Sequence, residues 1–336
     1  MKKLPEIFIF ETLAPIFVVL FHVNVMAIPD AYFRYDSYIV LFLTSRLVSF
    51  IVAGFIFMSG LKLTRKYANT KFNYPSFLLS RFVKIYLPYL FWAILYYIYF
   101  VYNGWREFSW SQLPIDLLTG RFIDHLYFVG AIMQFYVLFP LFLIFCKRTT
   151  PRLGILLALP ITIAARIYLD TAIVFLPHIL FFVAGCYVGL QYERFVAWLK
   201  KSKGFIYPAY FVATGAHLFL LFLDITGRFE YQYRETITVF FCIFSILVFH
   251  HICLCANKSP KKREHGGFLS RNLSLASYYV YLAHVIVLYE AHRLLTHHFE
   301  IFDPMQRYLI VMAAGVIIPY ALFLPYAKIK IAMRRK

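Results

Sequence analysis

Acidic residues are scarce in this chain. Sixteen Asp and Glu stand against 34 Lys and Arg in 336 residues, a formal net charge of +18. Cysteine is sparse too. Cys146, Cys186, Cys242, Cys253 and Cys255 all fall in or beside apolar runs, mostly toward the basic side where thiols stay reduced, and they form no disulfide framework. Long polar stretches are missing, and only 15% of the residues are charged, so no connecting segment is long enough for a soluble domain. What is present is apolar and aromatic: 62% hydrophobic residues, 38 Phe and 27 Tyr, with a mean hydropathy of +0.69. That composition predicts an all-α, polytopic integral membrane bundle of about ten transmembrane helices. The candidate spans are 7–27, 39–61, 82–102, 126–146, 153–169, 172–190, 205–223, 235–255, 273–294 and 307–327. Each is near the ~20 residues needed to cross a bilayer. They predict one membrane-embedded domain over residues 1–336.

The basic excess invites a nucleic-acid partner, but its distribution argues against one. Lys2 and Lys3 precede span one, and Lys62, Arg65, Lys66, Lys71, Arg81 and Lys84 surround the connection of spans two and three. Lys147, Arg148 and Arg152, then Arg194, Lys200, Lys201 and Lys203, then Lys258 to Arg271, mark the later even-numbered connections. The odd-numbered ones carry the acids, such as Asp30, Asp36, Asp116, Asp124, Asp170, Asp224 and Glu235. Under the positive-inside rule this alternation places both termini in the cytoplasm of a multi-pass cell-membrane protein. The charge is topology, with anionic lipid as its partner. Span one is read as retained rather than cleaved, because Glu11, Pro15 and His22 interrupt an apolar run too long for a signal peptide. No metal is expected. On a helix His250, His251, Cys253 and Cys255 point in widely different directions.

Two ionisable residues in span one carry the first functional signal. Glu11 and His22 return to within about 20° of one helix face, roughly 16 Å apart along the axis. Charges in lipid cost at least ~2.5 kcal/mol on insertion scales, so such residues face a protein interior or a wet cavity. Four further stretches stand beside them. Ser59-Gly60 ends span two, where small residues let backbones approach. Arg81 and Lys84 lie three apart at the start of span three, suited to phosphates or to ordinary interfacial anchoring. Asp124-His125-Leu126-Tyr127-Phe128 opens span four, followed by Gln134, Tyr136 and Pro140. Ser277-Tyr278-Tyr279-Val280-Tyr281-Leu282-Ala283-His284 lies in span nine. His178, His217, His292, His297 and His298 read as interfacial or loop residues, and Pro177 to Gly185 as a helix start and a close contact.

In order and over nearly the whole chain, these stretches resemble membrane acyltransferase family 3, integral enzymes that acylate cell-envelope glycans. The resemblance rests on Glu6 and His22 in span one, Ser59-Gly60, the Arg81-x-x-Lys84-Ile85-x-x-Pro88-Tyr89 start of span three, the His125…Gln134-x-Tyr136…Pro140 pattern, and the Ser277-Tyr278…His284 run. It implies an O-acyltransferase that moves an acyl group, in the first instance acetyl, from cytoplasmic acyl-CoA to a hydroxyl of a cell-surface or lipid-linked glycan. Acyl-CoA would be a cosubstrate, with no resident cofactor. It also implies His22 as catalytic base, a role that imidazole fills near neutral pH with an ordinary pKa of about 6.5. Where the family has an arginine that orients the donor, this chain has Glu11, which would repel phosphate. Glu11 is placed with Arg81 and Lys84 at the donor-binding end, where it is expected to pair with one of them while they hold the donor's phosphates. Arg46 matches His22 in depth and is assigned either to the acceptor and oxyanion end or to snorkelling and pairing with Asp124. His125, Tyr127, Gln134, Tyr136, Tyr281 and His284 complete the acceptor or oxyanion candidates. Two other readings stay open: a transporter or flippase for a glycan or lipid-linked precursor, and an inactive family member.

Overall fold

The computed structural model describes residues 4–27, 43, 45–123, 125–169, 174–225, 227, 231–256, 260–301 and 303–333. Among them the chain is helical throughout. The elements are α1 (Pro5–Ala27), α2 (Ile51–Tyr67), α3 (Tyr74–Arg81), α4 (Leu87–Tyr102), α5 (Leu113–Thr119), α6 (Tyr127–Arg148), α7 (Pro151–Tyr168), α8 (Ile179–Leu190), α9 (Tyr192–Lys201), α10 (Lys203–Ile225), α11 (Tyr231–Ala256), α12 (Pro260–His297) and α13 (Pro304–Met333). Among the described residues nine helices are long and apolar enough to span a bilayer, or ten with the bent α8–α9 segment. Large apolar side chains such as Leu141, Leu156, Phe211 and Ile317 are exposed on these helices, while His284, Thr162, Ser245 and His250 are buried. That inversion of a soluble protein's pattern marks helices solvated by lipid. The protein is an all-α, polytopic membrane bundle.

Three spans differ from the hydropathy reading, each for a local reason. The second helix continues to Tyr67, past Lys62, because Leu61, Leu63 and Thr64 are buried and keep packing. The third starts at Tyr74 rather than 82. Asn73 caps it by accepting a hydrogen bond from the Ser76 N–H (3.0 Å), and Pro75 occupies its first turn, where a missing N–H costs nothing. A π-helical turn over Phe82–Tyr86 then joins α3 to α4. Arg81 and Lys84 therefore lie inside a long helix, not at its start. The sixth span is the run Leu176–Leu190, which turns by 105° into α9. α9 buries Tyr192 and Leu199 and exposes Arg194, Trp198 and Lys200, the arrangement of a helix lying in an interface.

The helices fall into two compact units, Val52–Phe244 and Lys2–Ile51 with Ser245–Lys336. In the first, α8 crosses α2 at close range. A Cβ on Gly60 would run into the Phe182 carbonyl, and one on Gly185 into the Phe57 carbonyl. Backbone cannot yield there as a flexible side chain would, so glycine is required on both helices. Gly185→Ala is expected to lower stability by about 1–3 kcal/mol, the cost of overpacking. Thermal unfolding of the purified chain in detergent checks this; an unchanged midpoint would contradict the crossing. Around it pack Phe135 and Phe182, stacked at 4.4 Å, and the Phe77–Phe139 pair at 5.6 Å.

In the second unit α1 lies against α12 and α13. Val19 and Val23 meet Leu288, Leu295, Tyr308 and Val311, and Ala276, Val280 and Tyr320 form a second apolar cluster. The Tyr320 hydroxyl donates to the Thr12 carbonyl (3.1 Å), while Tyr308 meets Val23, so α13 runs antiparallel to α1. Glu11 meets Ser274 and His22 meets His284, so α1 and α12 run parallel. Both were assigned as odd-numbered spans, which cross in the same direction.

Candidate active site

The α1–α12 seam brings several of the candidate residues together. Two helices in parallel register bring residues ten or eleven apart into matching rungs roughly 15 Å from one another along the axis. At the lower rung the Ser274 hydroxyl donates to Glu11 Oε2 at 2.5 Å. At the upper rung His284 Nε2 lies 3.3 Å from His22 Nδ1, with ring centroids 5.1 Å apart. His284 is fully buried and His22 half-buried.

The hydrogen bonds fix which nitrogen of each ring carries the proton. His284 Nδ1 lies 2.7 Å from the Tyr281 carbonyl, which only an N–H can satisfy. The proton is therefore on Nδ1, and Nε2 bears the lone pair directed at His22. His22 Nδ1 faces that lone pair and, at 2.9 Å, the Val18 carbonyl one turn back on α1. Two acceptors around one nitrogen place a proton there also. His22 Nε2 is then left with the lone pair, the form a general base needs. The chain from Tyr281 O through His284 to His22 positions a basic nitrogen.

Other candidates join this unit or stay in the first. The Arg46 guanidinium lies over the Phe21 ring at 5.1 Å. Tyr281 is buried, stacks on Tyr278 and supplies the carbonyl that orients His284. In the first unit Arg81 and Tyr136 come together: the guanidinium sits 5.5 Å from the Tyr136 ring and 5.3 Å from that of Phe77. The Tyr136 hydroxyl accepts from Ser59 Oγ (3.3 Å), linking the Ser-Gly end of span two to span four. Lys84 is exposed and donates to Ser80 (2.9 Å). His125 is buried edge-on to Tyr96 (5.3 Å), and Gln134 accepts the Phe175 N–H (3.3 Å), so both brace the first unit's packing. Tyr127 opens α6 nine residues before Tyr136, roughly 13 Å away along the axis. Asp124 lies outside the described residues.

Sequence reasoning missed several residues here. Ser274 escaped because a serine in a span carries no signal until its carboxylate partner is known. Lys66 was counted as topology, yet its ammonium stands 4.6 Å from the Tyr67 ring, on the same patch of aromatics as Arg81 through the Tyr67–Phe77 contact at 5.4 Å. Arg166 and Glu235 were missed as a pair: α7 and α11 join through them at 2.6 Å, and Arg234 bonds both Glu235 and Asp224. Glu235 is buried in a helix rather than in a loop. His251 and Cys255 share one face of α11, with Nε2 and Sγ 3.9 Å apart, while His250 and Cys253 are buried. Among the described residues no three His, Cys, Asp or Glu side chains gather as metal ligands.

Comparison with known proteins covers nearly the whole chain. A family model described as an acyltransferase domain, that of acyltransferase family 3, matches residues 9–324, from just before Glu11 to beyond Tyr320. The chain belongs to acyltransferase family 3. The match runs through both units and includes every candidate residue above. The chain is also 25% identical over 240 residues to a protein of Bacillus subtilis (strain 168) named "Putative membrane-bound acyltransferase YfiQ". That similarity covers 64% of each chain, so less than two thirds of the relative's length is spanned. No solved structure matches the chain.

Proposed function

We propose that this family member transfers an acyl group, acetyl in the first instance, from cytoplasmic acyl-CoA to a hydroxyl of a cell-surface or lipid-linked glycan. The observation that carries the reading is His22, half-buried on a transmembrane helix with Nε2 left basic by the hydrogen bonds on Nδ1. His22 Nε2 takes the proton of the sugar hydroxyl as its oxygen attacks the thioester carbonyl. Arg46 stabilises the oxyanion. The C–S bond then breaks, and the His22 proton passes to the CoA sulfur. As the imidazolium forms, its Nδ1–H bond to His284 becomes charge-assisted and strengthens. On the donor side Arg81, Lys84 and Lys66 supply phosphate-binding cations. Glu11, held by Ser274, leaves that duty to them. Both termini are assigned to the cytoplasm of the cell membrane by the basic connections, and the antiparallel course of α1 and α13 is consistent with both ends on one side.

His284 is then a positioning residue. His284→Phe is expected to lower kcat about tenfold by removing the acceptor of a charged hydrogen bond, with KM for the donor unchanged. His284→Gln, whose carbonyl accepts from His22, should recover much of the loss. Equal losses in both variants would make His284 a packing residue only. The reading as a whole is tested with inverted membrane vesicles and labelled acetyl-CoA. Label should enter glycan only when the chain is present. No label from acetyl-CoA or succinyl-CoA would favour a transporter or an inactive member instead.

A further inference from the structure

Arg307 in the first turn of α13 is a cation held by neutral groups alone. Its Nη1 donates to the Ile301 carbonyl (3.3 Å), and its Nη2 donates to His292 Nδ1 (3.2 Å) and Thr296 Oγ1 (2.9 Å). A guanidinium has five N–H bonds, so two remain after these three. Among the described residues no carboxylate pairs with it, whereas Arg106, Arg166, Arg234 and Arg293 each have one. Partly burying a charge against neutral acceptors costs solvation that no counter-ion offsets. The side chain is nevertheless fixed from three directions, with its charge uncompensated among the described residues.

His292 holds the guanidinium and has a polar atom to spare on its far side. Because its Nδ1 accepts from Arg307, its proton is on Nε2, and that N–H is buried without an acceptor among the described residues. The cluster is short of acceptors and long on donors, the electrostatic signature of an oxyanion site. Beside it the ends of α12 and α13 and their connection expose Leu294, Phe299, Met305 and Leu309 together with the polar His297, His298, Glu300, Asp303 and Gln306. A free anion makes no use of the apolar ones, but the chain of an amphiphile does.

We propose that Arg307, held in place by His292, Thr296 and the Ile301 carbonyl, binds the phosphate of a lipid, with the guanidinium on the phosphate oxygens and the exposed apolar side chains against the chain. Assignment of the site to the outer leaflet rests on the topology proposed above. The binding does not, and its test requires no acyl transfer. If that reading holds, this is where the phosphate of a lipid-linked acceptor would dock, about 12 Å along α12 from His284.

The test is calorimetric titration of the purified full chain in an uncharged detergent with a C15 isoprenyl diphosphate, dihexanoyl phosphatidylglycerol and inorganic phosphate. Wild type and Arg293→Gln should bind the isoprenyl diphosphate alike. Arg307→Gln should bind it at least about tenfold more weakly, and Arg307→Lys should stay within about threefold of wild type. Preference between the two amphiphiles separates a lipid-linked diphosphate from an ordinary phospholipid headgroup, and either supports the site. Inorganic phosphate binding as tightly as both would overturn the lipid assignment. Equal affinity in wild type and Arg307→Gln, or no binding by wild type, would overturn the site. Should Arg307→Gln not fold, wild type alone decides: the affinity should fall with rising salt, and salt-independent binding would contradict a phosphate–guanidinium contact.

Discussion

His22→Ala is expected to lower acyl transfer by about 10²–10⁴-fold, the range for loss of a positioned general base. The loss should fall on kcat, because the proton moves only as the hydroxyl attacks and donor binding is assigned to other residues. Packing is unlike catalysis in this respect. Val19 and Val23 supply the apolar contacts of this part of α1, while His22 is half-buried and spends its Nδ1 on Val18 and His284. Its removal should therefore leave the protein folded, with an elution volume and unfolding midpoint close to wild type. His22→Gln offers an amide in place of the imidazole but no basic nitrogen, so it should be as inactive as alanine. Measuring initial rates over donor concentration separates the outcomes. A raised KM at unchanged kcat would move His22 into substrate binding.

Glu235→Ala is the largest stability effect expected away from the seam. Glu235 is buried and bonds two arginines, Arg166 on α7 and Arg234 beside it on α11. Removing the carboxylate leaves Arg166, largely shielded from solvent, stripped of its partner. Breaking a buried pair from one side costs about 3–5 kcal/mol, mainly through the charge left behind. Double replacement, Glu235→Gln with Arg166→Met, removes both charges and should recover much of that loss. Thermal unfolding in detergent reads both, and a single variant as stable as wild type would show that the pair contributes nothing to the first unit.

The fold class was legible because lipid imposes strong rules. Only helices satisfy every backbone group in hydrocarbon, and each needs about twenty apolar residues. The boundaries were less legible where basic residues stand inside helices. Lys62 looked like an end, yet buried Leu63 and Thr64 carry α2 onward. Arg81 and Lys84 looked like a beginning, although Asn73 and Pro75 already carried the start signal. At the site, helical spacing placed Glu11 and His22 on one face, and the motif in span nine supplied His284. The pairing of the two histidines was not legible. It depends on the parallel register of α1 and α12, which brings together residues 262 positions apart. Glu11 taught the same lesson in reverse. A carboxylate at a family arginine position pointed to a cationic partner, and nothing in the sequence pointed to the Ser274 hydroxyl that donates to it. Arg307 was invisible for a simpler reason. An arginine near a span end reads as an anchor until its neutral acceptors are seen.

The central claim is that His22 is the base of an acyl transfer, and one measurement tests it most directly. Inverted vesicles with equal amounts of folded wild type or His22→Ala are given labelled acetyl-CoA, and label in the glycan fraction is followed with time. The account predicts steady incorporation by wild type and at least about a hundredfold less by the variant. Incorporation by His22→Ala at the wild-type rate would contradict it.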